Sequence, residues 1–204
     1  TIRAAISQKG NIFTFPKELE TIARDVLSLS LTRLCVDFGY PPYSAREYRY
    51  RPALTAQHLQ EILQHMPHLQ SLSIRGATLS EEMMNVIVQF KNLTDLDISG
   101  TNLNDTLLKK LAQCTNLTSL SIARSPDITD LGPLSACTAL QKLYLYECAN
   151  IRSVQPLASC TDLEVLDILD SDQITDLRPL LLCPKLRTVA RCYDRQTIVM
   201  AWPL

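Results

Sequence analysis

The chain has 204 residues, 46% of them apolar, with a formal net charge of −1, which is the make-up of a globular protein with one full core, or one and a half small ones. Its 20 Lys and Arg balance 21 Asp and Glu, so the strong basic excess of a general nucleic-acid binder is absent. No apolar run is long enough to cross a bilayer and no membrane role is expected; the opening TIRAAISQKGNIF lacks the apolar block of a signal peptide. A first residue of Thr reads as the start of a fragment, so that missing leader carries no weight. Charge is uneven, with 8 Lys and Arg against 5 Asp and Glu in residues 1–60, and 12 against 16 in residues 61–204. Seven cysteines, an odd number at regular spacing, do not read as a disulfide scaffold, and a reducing cytoplasm is the expected compartment.

In chain order, PKELETIARDVLSL at 16–29 reads as an amphipathic helix able to shield an open end, and residues 1–30 are assigned to an N-terminal cap. LTRLCVDFG begins at Leu31. The insertion GYPPYSAREYRYRPA at 39–53 then stretches the interval to Leu69 to 38 residues, and it holds four of the seven tyrosines with Arg46, Arg49 and Arg51. LQSLSIRGA from Leu69, LTDLDISGT from Leu93, LTSLSIARS from Leu117, LQKLYLYEC from Leu140 and LEVLDILDS from Leu163 follow at intervals of 24, 24, 23 and 23 residues. A weaker copy, LRTVARCYD, begins at Leu186, with Arg191 where an inner aliphatic residue belongs. Such constant spacing is the mark of a solenoid, and ordinary alternation of strands and helices does not produce it.

The connectors change along the chain. LTAQHLQEILQHM and LSEEMMNVIVQF have helical periodicity; Ser80 followed by Glu81 and Glu82 predicts a capped start, as does Asn104 in the next connector. Later, DITDLGPLSAC, NIRSVQPLASC and QITDLRPLLLC place Pro133, Pro156 and Pro179 at 23-residue intervals, which predicts only a turn or so of helix.

The pattern Leu-x-x-Leu-x-Leu-x-x-(Asn/Cys)-x-Leu resembles the leucine-rich repeat over residues 31–194, and the second half resembles the short repeats of phosphatase-regulatory and bacterial internalin-type proteins. The resemblance implies an α/β fold: a right-handed solenoid with a curved parallel sheet on its concave face and helices, then short turns, on its convex face. Residues 195–204 are then a C-terminal cap or the start of further chain. The small motif position holds Ala77, Thr101, Ser125, Cys148 and Ser171 instead of Asn. Hydroxyl and thiol groups offer fewer hydrogen bonds than an amide, so a less tightly stitched turn is expected.

Cys114, Cys137, Cys160 and Cys183 each end a connector, where earlier copies carry Phe90 and Met66. A place that accepts Met, Phe and Cys is an apolar filler. Sulfurs stacked in a line cannot gather around one zinc, and parallel side chains do not converge on a disulfide. Cys148 is expected inside, while Cys35 and Cys192 fall at outward strand positions. His58, His65 and His68 are the three histidines and lack a metal-ligand spacing. No G-x-S-x-G elbow occurs, and none of the five glycines builds a phosphate loop. No catalytic residue, cofactor, metal or small-molecule substrate is therefore assigned.

Strand alternation turns the residues between the motif leucines outward. The first outward row is Arg33, Ser71, Asp95, Ser119, Lys142, Val165 and Thr188; the second is Cys35, Ser73, Asp97, Ser121, Tyr144, Asp167 and Ala190. A third holds Asp37, Arg75, Ser99, Ala123, Tyr146, Leu169 and Cys192. Tyr144, Tyr146, Val165 and Leu169, bordered by Lys142, Arg124, Glu147, Asp167 and Asp170, have the make-up of a protein-binding patch, against the alternative that a C-terminal cap covers them. The partner-binding residues are accordingly Arg75, Asp95, Asp97, Arg124, Lys142, Tyr144, Tyr146, Asp167, Leu169 and Asp170. The expected function is a non-catalytic interaction domain that binds a protein on its concave face. The resemblance implies adaptor or scaffold roles, as in cytoskeletal scaffolds of protists. The alternatives are a regulatory subunit or ubiquitin-ligase-type substrate receptor docking on an enzyme and, with less support, nucleic-acid contact through the Tyr/Arg insertion.

Overall fold

The computed structural model describes residues 3–4, 33–36, 54–66, 68–193 and 196–201. The helix expected at 16–29 and the insertion at 39–53 lie outside them, as do the side chains of Cys35 and Cys192. Nine described strands form one sheet in chain order. They are β1 (Arg3–Ala4), β2 (Arg33–Val36), β3 (Ser71–Ser73), β4 (Asp95–Asp97), β5 (Ser119–Ser121), β6 (Lys142–Tyr144), β7 (Val165–Asp167), β8 (Thr188–Tyr193) and β9 (Gln196–Ala201). β1 to β8 run parallel, and β9 returns antiparallel along the whole of β8.

From β3 to β8 the parallel pairing joins equivalent residues: Leu72 faces Leu96, Leu96 faces Leu120, and the row continues through Leu143, Leu166 and Val189. Each of these is buried, as are Ile74, Ile98, Ile122, Leu145 and Ile168 two residues on. Two consecutive amides tie each coil to the one before at the strand entrance: Thr94 N and Asp95 N share Gln70 O at 2.8 and 2.9 Å, and the pattern repeats from Thr118, Gln141, Glu164 and Arg187.

Behind the sheet the connectors thin as expected. α1 (Ala56–His65) is followed by α2 (Glu81–Ile87) and the four-residue α3 (Asp105–Leu108), then by 3-10 turns at Gly132–Ala136, Gln155–Ser159 and Arg178–Leu182. The Ser80 hydroxyl accepts from Met83 N at 3.2 Å and the Asn104 side-chain Oδ1 from Leu107 N at 3.0 Å, so both predicted caps are in place. Each late turn carries its proline in the first two positions, where the missing N–H has no partner to lose. In the sixth copy Arg191 replaces the inner aliphatic residue and donates to the Ile174 carbonyl at 2.9 Å.

The connector cysteines fill the core and also link coils. Cys137, Cys160 and Cys183 are buried, and Cys114 is half-buried. The carbonyl of Leu111 accepts the Cys114 N–H within its own coil and the Cys137 thiol from the next, at 2.9 and 3.5 Å. Leu134 receives Cys160, and Leu157 receives Cys183, in the same way at 3.5 and 3.3 Å. Burial pushes the thiols up to about 11 at Cys137 and about 12 at Cys160, which leaves almost no thiolate at neutral pH.

The small motif position is stitched unevenly. Ser171 accepts from Cys148 N at 3.1 Å and donates to Leu145 O at 2.8 Å, and the Cys148 thiol reaches Ile122 O at 3.4 Å. The matching carbonyl for Ser125 is that of Ile98, which accepts from the Thr101 hydroxyl at 2.8 Å. The buried Ser125 hydroxyl is left without a partner. Amide stitching, absent from this position, comes instead from neighbouring asparagines. Asn102 bonds both N and O of Leu79 at 2.6 and 3.1 Å, and Asn116 and Asn150 reach the carbonyls of Lys91 and Pro126.

Two predictions follow from these rows. Ser125→Ala is expected to raise unfolding stability by about 1 kcal/mol and Ser171→Ala to lower it by a similar amount, read by urea denaturation; equal effects would remove the distinction drawn here. In native protein at pH 8, N-ethylmaleimide should leave Cys137, Cys148 and Cys160 unmodified in mass-mapped peptides and label them in guanidinium. Native labelling faster than global unfolding would contradict this burial.

Candidate functional site

Three-residue strands leave the two outward rows on one open face of the sheet, and parallel register sets their neighbours. Asp95 and Asp97 on β4 lie between Ser71 and Ser73 on β3 and Ser119 and Ser121 on β5. Lys142 and Tyr144 come next, then Val165 and Asp167, with Tyr144 directly paired to both Ser121 and Asp167. Lys142 is exposed; the others of these rows from Ser71 to Asp167 are half-buried. Tyr144 and Asp97 thus share a face. The four serines are short, so the middle of the face is a shallow polar floor, while Tyr144 and Val165 raise its far side.

The third row departs from the expected alternation. Ser99 and Ala123 are fully buried. Each three-residue strand ends on its second outward side chain, and the backbone then turns over the sheet edge, carrying small side chains inward. Ser99 meets the Ser121 hydroxyl there at 2.6 Å. Arg75, Tyr146 and Leu169, being longer, emerge from the same place half-buried.

The turn takes a left-handed residue in five successive coils. Gly76 and Gly100 supply it with φ of 70° and 67°; the next three coils use Arg124, Glu147 and Asp170 at 57°, 57° and 54°. A side chain in this conformation costs of order 1 kcal/mol that glycine avoids. The three project as a charged rim beside the tyrosines. Arg124 Nε bonds Glu147 Oε1 at 2.9 Å, and its guanidinium lies 5.7 Å from the centre of the Tyr146 ring. Arg75 lies 3.4 Å from Asp97.

Of the ten residues assigned from sequence, all are described, and they form two groups rather than one. Arg75, Asp95 and Asp97 belong to the serine floor; Arg124, Lys142, Tyr144, Tyr146, Asp167, Leu169 and Asp170 make the aromatic side and its rim. Asp95 accepts from the Thr94 hydroxyl at 2.8 Å. Asp167 accepts from Leu169 N at 3.1 Å; burial first, and then the nearby Asp170 carboxylate, push its pKa up against that bond. The rim strain and the burial of Ser99 and Ala123 were missed by the sequence reading, although two glycines followed by three charged residues at one repeat position signalled the first.

Among the described residues no group of three His, Cys, Asp or Glu side chains is placed to hold a metal ion. His58 caps α1, its ring nitrogen accepting from Thr55 N at 3.2 Å, and His68 is exposed. No described helix is long and apolar enough to cross a membrane.

If strain at the rim is the cost of presenting a side chain, Asp170→Gly should leave stability within about 0.5 kcal/mol of the parent, whereas Asp170→Val should lower it by about 1 to 2 kcal/mol. Chemical denaturation decides; a large loss for the glycine variant would mean that the carboxylate holds the turn.

Residues 138–182 match the family model for leucine-rich repeats, in two copies. No curated protein sequence matches the chain. Among solved structures, an internalin of Listeria monocytogenes is 22% identical with a TM-score of 0.55, covering 88% of this chain and 56% of its own. A leucine-rich-repeat protein of Leptospira interrogans is 18% identical with a TM-score of 0.50, covering 90% of this chain and 46% of its own. This chain therefore spans little more than half the length of the first and less than half of the second. At such identities the likeness is one of fold. The matched repeats, the coil-by-coil register and these two structures agree on a leucine-rich-repeat fold for this chain.

Proposed function

We propose that this chain is a non-catalytic interaction module that binds a protein partner on the open, concave face of its sheet. The fold commonly serves as a scaffold for protein–protein contact. The observation that carries the reading is the pairing of Tyr144 with Asp167 on that face, beside half-buried Val165, Tyr146 and Leu169. Aromatic and aliphatic groups ringed by charge are what interface hot spots are made of. Side chains held by a continuous parallel ladder lose little further freedom on association, so less of the contact energy is spent on ordering.

Unpaired thiols at Cys114, Cys137, Cys148, Cys160 and Cys183 favour a reducing compartment such as the cytoplasm. A regulatory subunit docked on an enzyme would use the same face, and an inhibition assay on any enzyme recovered with the chain separates that role from scaffolding.

The test is Tyr144→Ala combined with Tyr146→Ala in an affinity capture from cell extract. Partners retained by the parent should be lost from a variant that keeps its thermal transition. An unchanged set of partners with the fold intact would remove this face as the binding site.

A further inference from the structure

The composition of this face specifies its ligand further. Over β3 to β7 and the rim, five carboxylates (Asp95, Asp97, Glu147, Asp167 and Asp170) stand against three cations (Arg75, Lys142 and Arg124). Two of those cations are already engaged, Arg75 with Asp97 and Arg124 with Glu147. Among the described residues no cation pairs with Asp95 or Asp167; their bonds run to Thr94 and to the Leu169 amide. The acidic stretch ends at β2, where Arg33 is exposed.

Position matters as much as sign. Asp95 and Asp167 are separated by three strand-to-strand steps, about 14 Å at the usual sheet spacing. An extended segment laid across the strands covers about 13 to 14 Å in four residues, with alternate side chains on the same side. The stagger of Asp95 by two residues from the row of Asp167 is within the reach of a flexible Lys or Arg stem. Between the two carboxylates the floor is serine, shallow enough for a backbone to approach, and the ring of Tyr144 stands next to Asp167. A cation drawn to Asp167 therefore lies beside an aromatic ring, which adds to its attraction. Lys142, exposed in the first row, repels a third cation between them.

We propose that the face takes an extended, basic protein segment with Lys or Arg at positions i and i+4, facing Asp95 and Asp167, and an apolar residue at i+2 against Tyr144. Asp167 is suited to this role on electrostatic grounds as well, since its half-buried carboxylate lies near that of Asp170 and an incoming cation offsets both effects. The inference rests on the concave-face reading and narrows it to one class of partner. A nucleic-acid strand, whose phosphates would meet these same carboxylates, is the opposite case.

The experiment is selection of a random twelve-residue peptide display library on the immobilised full chain. Fluorescence anisotropy then follows with a labelled peptide containing Lys-Thr-Leu-Thr-Lys and with its Glu-Thr-Leu-Thr-Glu counterpart. The expected result is a selected consensus with basic residues four apart, binding that weakens as salt is raised, and about a tenfold loss of affinity in Asp95→Asn combined with Asp167→Asn. The variant Asp95→Lys with Asp167→Lys should bind the Glu peptide instead, a gain that misfolding cannot produce. Acidic or uncharged ligands that are nonetheless lost with Tyr144→Ala would overturn the basic segment and leave the concave-face reading standing. Ligands indifferent to every one of these substitutions would overturn both, and failure of the Lys peptide to outbind the Glu peptide on the parent chain would overturn the basic segment alone.

Discussion

Equivalent residues of successive coils pair with one another across the parallel sheet, without slippage, and every other property of the molecule is downstream of that register. A slip by one residue would exchange the leucine row for the serine and aspartate row and put charge into the core. The period of 23 to 24 residues holds it in place, because each coil must return its first strand leucine to the same depth. Nothing in this geometry requires long helices. As the connectors shorten from α1 to the proline-led turns, the leucine rows continue unchanged.

The coils are held by more than the ladder. Thiols, hydroxyls and asparagine amides each reach back one repeat, and which group does so varies from coil to coil. The cysteine row shows how two roles coincide in one residue: a small apolar side chain fills the layer behind the sheet, and its S–H finds a carbonyl that a methyl group would leave with one acceptor site unused. Ser125 shows that a stacked row is not bonded alike in every coil, for its hydroxyl has no partner while that of Ser171, two coils on, both accepts and donates. A solenoid tolerates such local variation since each coil contacts only its neighbours.

On the open face the same stacking makes a surface with a gradient, from hydroxyl floor to aromatic side, edged by charged residues in a backbone conformation that glycine fills elsewhere. The rim also explains why Arg124, Tyr146 and Glu147 act as a unit: the left-handed turn aims consecutive coils' side chains along one line, so that ion pair and ring contact follow from position alone.

From the sequence alone came the period, the strand positions, the inward leucines, the thinning back, both helix caps and the shared face of Tyr144 and Asp97, since each depends on spacing or on local chemistry within one repeat. The division of the site into two groups, the burial of Ser99 and Ala123, the partnerless Ser125, the thiol-to-carbonyl links and the reach of Asn102 across coils were settled by tertiary structure. Those features depend on which atom of one coil comes within hydrogen-bonding distance of another. A repeat pattern states that side chains stack; it does not state which lone pair is already occupied, or where a three-residue strand turns its next side chain inward.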